Sequence, residues 1–359
     1  MRRLRLSTVG LALASGVVAG GCVSGEPVEV EKPSRAVQTA YLDEKAKPAA
    51  KLVSVHDLAG LIGLDPSWLE PDKKLRLASQ WSELVFQVDS REVLLNGIRV
   101  FMGEGTVPGG KSLRFSSIDR DRLLVPILVP QKAGTRPPVQ IVAIDPGHGG
   151  NDRGTRNEKL KLLEKDFTID VARRLKSLLE ARGITVVLTR ENDSYVPLPE
   201  RPARAATAGA DVFVSLHFNS AASEEVRGIE TYVLTPQFQR STGSDEARVE
   251  DGIAVPGNRF DHWSSYLGYT VHRTLLEELK LPDRGLKRAR FAVLRDLPCP
   301  GLLVEGGYLS NAEEAGLVST EAYRDRLAAA VANGIDVYNQ TLRRFQATST
   351  AQAGVHEGR

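Results

Sequence analysis

The chain has 359 residues, enough for two domains with tails rather than one ordinary core. Hydrophobic residues make up 42%, ordinary for a soluble globular protein and unlike a membrane bundle or a disordered chain. Its 47 basic and 45 acidic residues nearly cancel, which leaves no broad field to attract nucleic acid.

Residues 1–22 read as an export signal. Arg2, Arg3 and Arg5 supply a positive start, and the apolar stretch from Val9 to Ala19 is too short to span a bilayer. Val18-Ala19-Gly20-Gly21 then runs straight into Cys22, which resembles the lipobox of bacterial lipoproteins. That resemblance implies that Cys22 becomes the lipidated first residue of an exported chain anchored on the periplasmic side. The third residue before the cysteine is Ala19, where the lipobox usually has leucine. Ordinary secretion, with cleavage near Ala19-Gly20-Gly21, is the alternative. The second cysteine, Cys299, lies between Pro298 and Pro300 at the entry to an apolar run and reads as a small buried residue. With Cys22 lipidated no disulfide forms, and stability rests on the core or a metal. Residues 23–49 are rich in Pro, Lys, Glu and Ala and read as a solvated tether.

Residues 50–131 read as a small strand-rich domain. Val53 to Ala59 opens a short helix with Leu58, Leu61 and Ile62 on one face. Alternating runs follow at Lys74–Leu77, Glu83–Val88, Glu92–Leu95 and Ile98–Phe101, and Asn96-Gly97 is a hairpin turn. Leu123 to Val129 adds another apolar run. The layout resembles the stalk-type domain named for the N-terminus of copper amine oxidases and implies a spacer or wall-contact role. It brings no copper site, because the segment holds one histidine, His56.

Gly134-Thr135-Arg136-Pro137-Pro138 is a linker, and from 139 to 345 strands and helices interleave. Expected strands are Val139–Ile144, Ile184–Thr189, Asp211–His217, Phe291–Leu294 and Gly301–Glu305. Expected helices are Asp166–Arg182, Glu200–Gly209, Ser264–Leu279 and Thr320–Arg343. The fold class is therefore α/β, a mostly parallel or mixed sheet flanked by helices, with chemistry gathering where strands end in loops. Residues 346–359 read as a disordered tail.

Four polar residues sit where packing alone does not need them. His148 lies on the Gly-rich turn after the apolar run Ile141–Ile144, which lacks the spacing of a nucleotide loop. By itself it fits either a structural histidine or a metal ligand. Glu164 precedes a helix, where an acid also suits the helix dipole. His217 ends Val212–Leu216, and Glu305 ends Leu302–Val304. A carboxylate directly after a buried strand costs several kcal/mol unless it is paired or metal-bound. Two imidazoles and a carboxylate can hold one zinc with an open position, and a further carboxylate supplies a general base.

The strings Asp145-Pro146-Gly147-His148-Gly149-Gly150, Glu164-Lys165-Asp166, Ser215-Leu216-His217-Phe218-Asn219-Ser220 and Val304-Glu305-Gly306-Gly307-Tyr308 resemble, in order, motifs of the zinc-dependent N-acetylmuramoyl-L-alanine amidases of type 3. Thr189-Arg190, Arg201-Pro202-Ala203-Arg204, Gly228-Ile229-Glu230-Thr231-Tyr232 and Arg284-Gly285-Leu286-Lys287 agree, so the resemblance covers about 141–339. It implies one Zn2+ bound by His148, Glu164 and His217, with Glu305 as catalytic acid/base. The implied substrate is peptidoglycan, cut at the amide between N-acetylmuramic acid and L-alanine of the stem peptide. Asn219 and Glu230 become either substrate or supporting contacts, or structural residues. A protein activator is conceivable but not identifiable from the residues. Thr235 to Asp261 departs from the pattern as a polar, Gly-rich stretch that either gates the groove or is an idle insertion. His262 could line a groove, and His272 reads as a helix-face residue. Two other readings stay open: a different zinc hydrolase of wall peptides or sugars, and a wall-binding protein that has lost the chemistry.

Overall fold

The computed structural model describes residues 51–356. The export signal with Cys22, the tether and residues 357–359 lie outside the described residues. Eleven strands form one sheet. The N-terminal part supplies β1 (Asp65–Glu70), β2 (Lys74–Ala78), β3 (Glu83–Gln87), β4 (Glu92–Leu95) and β5 (Ile98–Phe101). The rest supplies β6 (Ile141–Pro146), β7 (Thr185–Leu188), β8 (Val212–Asn219), β9 (Ile229–Leu234), β10 (Asp283–Ala289) and β11 (Gly301–Tyr308). Across the sheet the order is β7-β6-β8-β11-β9-β10-β5-β4-β3-β2-β1. The first four of these run parallel, β9 is antiparallel to β11, and β10 and β5 follow the direction of β9. From β5 to β1 the strands form an antiparallel meander.

Period-two patterning explains both halves. In the meander Leu75, Leu77, Leu84, Phe86, Val93, Leu95 and Val100 are buried, and the residues between them are not. Asn96 (φ 52°) and Gly97 (φ 80°) take the two left-handed positions of its tight hairpin. In the parallel part both faces are covered. Val142, Ile144, Val212, Val214, Leu216, Leu302 and Val304 pack toward α2 (Glu164–Glu180), α4 (Asp261–Leu279) and α6 (Glu321–His356), whereas α1 (Val55–Ile62) belongs to the N-terminal part and α5 (Ala312–Ser319) leads into α6. The alternate residues Ala143, Phe213 and Leu303 join a smaller core with Ala205 of α3 (Glu200–Thr207), Leu297 and Cys299. Cys299 is a free buried thiol, as its surroundings suggested, and burial pushes it up to about 12. Among the described residues no helix is long and apolar enough to cross a membrane.

Three local expectations change. The run near Leu123 is helical over 117–128, because Ser116 caps the first turn and Pro126 sits at a helix start, where its missing N–H costs nothing. Ala292–Arg295 is a helical turn rather than a strand. The last helix continues through His356, into the stretch read as a tail.

The boundary between the two parts does not interrupt the sheet. β10 pairs with β5 at Leu286 and Val100, and Asp283 accepts the Arg99 amide at 2.8 Å. Beside this seam Arg288 is 2% exposed and bonds Asp119, which is 0% exposed. The same guanidinium reaches the Phe101 carbonyl at 3.2 Å and the Gln239 side chain. Gln239 belongs to the 235–261 stretch. Because β9 is antiparallel to β11, this stretch leaves the sheet at the end opposite His217 and Glu305. There Arg91 of the N-terminal part donates to the carbonyls of Arg240, Ser241, Thr242 and Ser244. The 235–261 stretch fastens the two parts together and does not gate the His217 end.

An Arg288→Ala substitution leaves the Asp119 carboxylate buried without its cation, so chemical denaturation is expected to show a loss of about 3–5 kcal/mol. A change under about 1 kcal/mol would mean that the seam does not hold the two parts.

Candidate metal centre

Four elements deliver the site. β6 ends at Pro146, the Gly147 amide donates to the Leu216 carbonyl at 3.0 Å, and His148 follows in a left-handed conformation with φ 64°. A left-handed histidine is uncommon and persists only when its surroundings hold it. Glu164 is the first residue of α2, His217 lies near the end of β8, and Glu305 lies on β11. His217 and Glu305 are register partners on neighbouring parallel strands, and Glu305 pairs in turn with Glu230 of β9. Paired residues project from the same face, so three chemistry-bearing side chains form a row across β8, β11 and β9.

Glu164 is fully buried and sits between the two imidazoles. Its Oε2 lies 3.1 Å from His148 Nε2, and its Oε1 lies 2.9 Å from His217 Nδ1. The Phe218 amide donates to Oε1 at 3.0 Å and the Thr155 amide to Oε2 at 2.7 Å. Burial opposes the charge, but the bonds and charges of His148 and His217 outweigh it and hold this carboxyl well below its ordinary range. His148 Nδ1 faces Asp152 Oδ2 at 2.9 Å, which directs Nε2 inward. Two glycines make the room. A Cβ on Gly147 would stand 2.5 Å from His217 Nε2, and one on Gly154 would stand 2.5 Å from Glu164 Oε2.

Two buried arginines hold the His148 turn. Arg201 donates to Asp145 Oδ1 at 2.8 Å, to the Pro146 carbonyl at 2.9 Å and to the His148 carbonyl at 3.0 Å. Arg190 donates to the carbonyls of Pro146, Gly147 and Lys165. Burial and the neighbouring Arg201 charge pull Arg190 down to about 10, so it stays charged at neutral pH. Burial also opposes the Asp145 charge, yet Arg201 and the hydroxyls of Thr189 and Ser215 hold that carboxyl below its usual range. The sequence pointed to Arg190 and Arg201 only through family resemblance; Asp152, four residues after His148, was missed.

Glu230 is 2% exposed and gathers Lys287 at 2.6 Å, Arg284 at 2.8 Å, and the hydroxyls of Tyr308 and Tyr232. Asn219 Nδ2 adds a bond at 3.1 Å. Burial works against its charge, but Lys287 and the two tyrosines bring the carboxyl down to about 2. Asn219 and Glu230 thus form one network beside Glu305. The remaining histidines lie elsewhere. His56 faces Ser112, and His262 faces Arg122 of the N-terminal part. His272 is fully buried between Thr231 and Asp283, holding α4 to the sheet rather than lining a helix surface.

Among the described residues His148, Glu164 and His217 are the group able to hold a metal, with donor atoms within 4.8 Å of one another. Two nitrogens and one carboxylate oxygen suit zinc, and these donor atoms lie close enough together to share one ion.

A family profile described as N-acetylmuramoyl-L-alanine amidase matches residues 142–337. The chain belongs to this amidase family. AmiC of Escherichia coli O6:H1, an N-acetylmuramoyl-L-alanine amidase, is 33% identical over 230 residues, 58% of this chain and 55% of that protein. LytC of Bacillus subtilis, also named an N-acetylmuramoyl-L-alanine amidase, is 30% identical over 246 residues, 68% of this chain and 45% of that protein. The chain spans about half the length of these curated relatives. The catalytic domain of the amidase CwlV from Bacillus (Paenibacillus) polymyxa var. colistinus is similar at TM-score 0.47 and 32% identity, over 55% of this chain and 97% of that one.

Removing the Arg201 guanidinium strips Asp145 of its cation and the His148 turn of two bonds. Arg201→Ala is expected to cost about 3–5 kcal/mol by denaturation and to weaken zinc binding about 10–100-fold in a chelator competition. Full zinc affinity in a folded variant would show that the arginine does not position His148.

Proposed function

We propose that the chain is a zinc-dependent peptidoglycan hydrolase that cuts the amide between N-acetylmuramic acid and L-alanine of the stem peptide. His148, Glu164 and His217 hold one Zn2+, and Glu305 is the general base and acid. The observation that supports this most strongly is the register of Glu305, one strand from His217 on the same face of the sheet. Family membership supplies the reaction class.

Zinc in a three-ligand site supplies Lewis acidity toward a carbonyl and toward water. The chain's residues do the rest. Glu305 takes a proton from the attacking water as the new C–O bond forms. When the C–N bond breaks, it delivers that proton to the departing alanine nitrogen, leaving a lactyl carboxylate and a free amine. Glu230, kept ionised by Lys287, Arg284 and the tyrosines, holds Asn219 and Tyr308 in place beside the base. Asp152 keeps the His148 ring in its tautomer.

Export and lipidation at Cys22 complete the proposal: the enzyme works on the periplasmic side, tethered to a membrane. Support for that comes from the basic, apolar and small-residue sequence that ends at Cys22. The strand-rich part is proposed to act as a spacer or wall contact.

Glu305→Gln preserves shape and removes the exchangeable carboxylate. The full-length variant is expected to bind one zinc per chain yet release N-terminal alanine from peptidoglycan at least about 100-fold more slowly. Hydrolysis at the parental rate would remove Glu305 from the mechanism; release of acetate in place of alanine by the parent would replace the reaction.

A further inference from the structure

We propose that Tyr195 is a substrate-contact residue on which the muramoyl sugar ring rests while its lactyl amide lies at the metal centre. This proposal rests on the amidase function argued above and assigns the direction in which the substrate lies.

Tyr195 is 57% exposed and Leu198 is 50% exposed, although Tyr266, Tyr269, Tyr308, Tyr323 and Tyr338 are buried. Both exposed residues belong to the segment between β7 and α3, and that segment is firmly fastened. Asp193 accepts the Gly150 amide at 2.7 Å and Lys165 Nζ at 2.6 Å. Arg173 holds the Glu191 carbonyl at 2.7 Å, Arg190 holds Asn192 at 2.9 Å, and Arg201 holds Val196 at 3.1 Å. An apolar side chain displayed on a segment with five such ties loses little backbone freedom when a ligand meets it.

Its position is also specific. Gly149 and Gly150 directly follow His148, and a Cβ on Gly150 would stand 2.8 Å from the Tyr195 nitrogen and 3.1 Å from its Cβ. The tyrosine backbone therefore rests on the turn that carries His148. This is the β7–β6 flank of the centre. The opposite flank, at β9 and β10, carries Lys287 and Arg284 around Glu230.

The two flanks differ in chemistry as the two ends of the substrate do. A muramoyl ring is neutral with a C–H-rich face, which suits an amphipathic aromatic surface. A stem peptide carries carboxylates, which suit a cationic edge. The geometry points to the sugar over Tyr195 and the peptide running toward β10.

The test compares the full chain with Tyr195→Ala and Tyr195→Trp on two substrates, a muramoyl tetrapeptide and the matching lactoyl tetrapeptide that lacks the ring. Tyr195→Ala is expected to lower kcat/KM about ten-fold on the muramoyl substrate, the factor carried by about 1.4 kcal/mol, mainly through KM. The lactoyl substrate should change less than about two-fold, bound zinc should be unchanged, and Tyr195→Trp should restore muramoyl turnover. Equal losses on both substrates, no loss on either, or a drop in bound zinc would overturn the proposal. If the unmodified chain cleaves neither substrate, the amidase function fails and takes this proposal with it.

Discussion

A carboxylate with no exposure, set between two imidazoles, is the interaction around which the C-terminal part is organised. Isolating such a charge from water costs several kcal/mol unless donors surround it. Glu164 meets that demand with His148 and the Thr155 amide from one stretch of chain and with His217 and the Phe218 amide from another. The same demand recurs one layer out. Asp145 is buried against Arg201, Thr189 and Ser215, and Arg201 spends its other donors on the carbonyls of the His148 turn. One buried charge pair, Arg201–Asp145, thus ties α3 to β6, and the arginine's bonds to the Pro146 and His148 carbonyls help the His148 backbone hold its left-handed conformation.

Sheet continuity sets a second constraint. Without β5, the β10 edge would present unpaired backbone groups, which invite association with other chains. The meander covers that edge, while Arg288, Asp119 and Gln239 fill the seam with a buried polar knot. The polarity of β9 then separates two tasks. Its first residues place Glu230 beside Glu305, and its end sends the 235–261 stretch to the far side, where Arg91 secures it. The N-terminal part is built into the same sheet and is not a hinged appendage.

The sequence was most legible where a physical period was strong. Alternation in 74–101 announced the meander, and the apolar runs before His148, His217 and Glu305 announced the central strands together with the residues that end them. β10 was not read as a strand because Arg284, Gly285, Lys287 and Arg288 interrupt any apolar alternation; its side chains serve Glu230 and the seam instead. Leu123 to Val129 stands out only as an apolar run, because so short a run carries no period that would reveal its helical turns. The 235–261 stretch was open to a gating role because only strand direction reveals which end of the sheet a loop occupies. Pairings such as Arg201 with Asp145, or Arg288 with Asp119, join residues far apart in the chain and have no local signature.

The proposed sharing of one divalent ion by His148, Glu164 and His217 underlies the whole site. Zinc-edge X-ray absorption on the full-length protein, with metal content measured on the same sample, tests it most directly. One zinc per chain is expected, with a first shell of two imidazole nitrogens and oxygen ligands, and no sulfur. A sulfur scatterer from Cys299, a shell without imidazole, or a folded protein that takes up no zinc would contradict it.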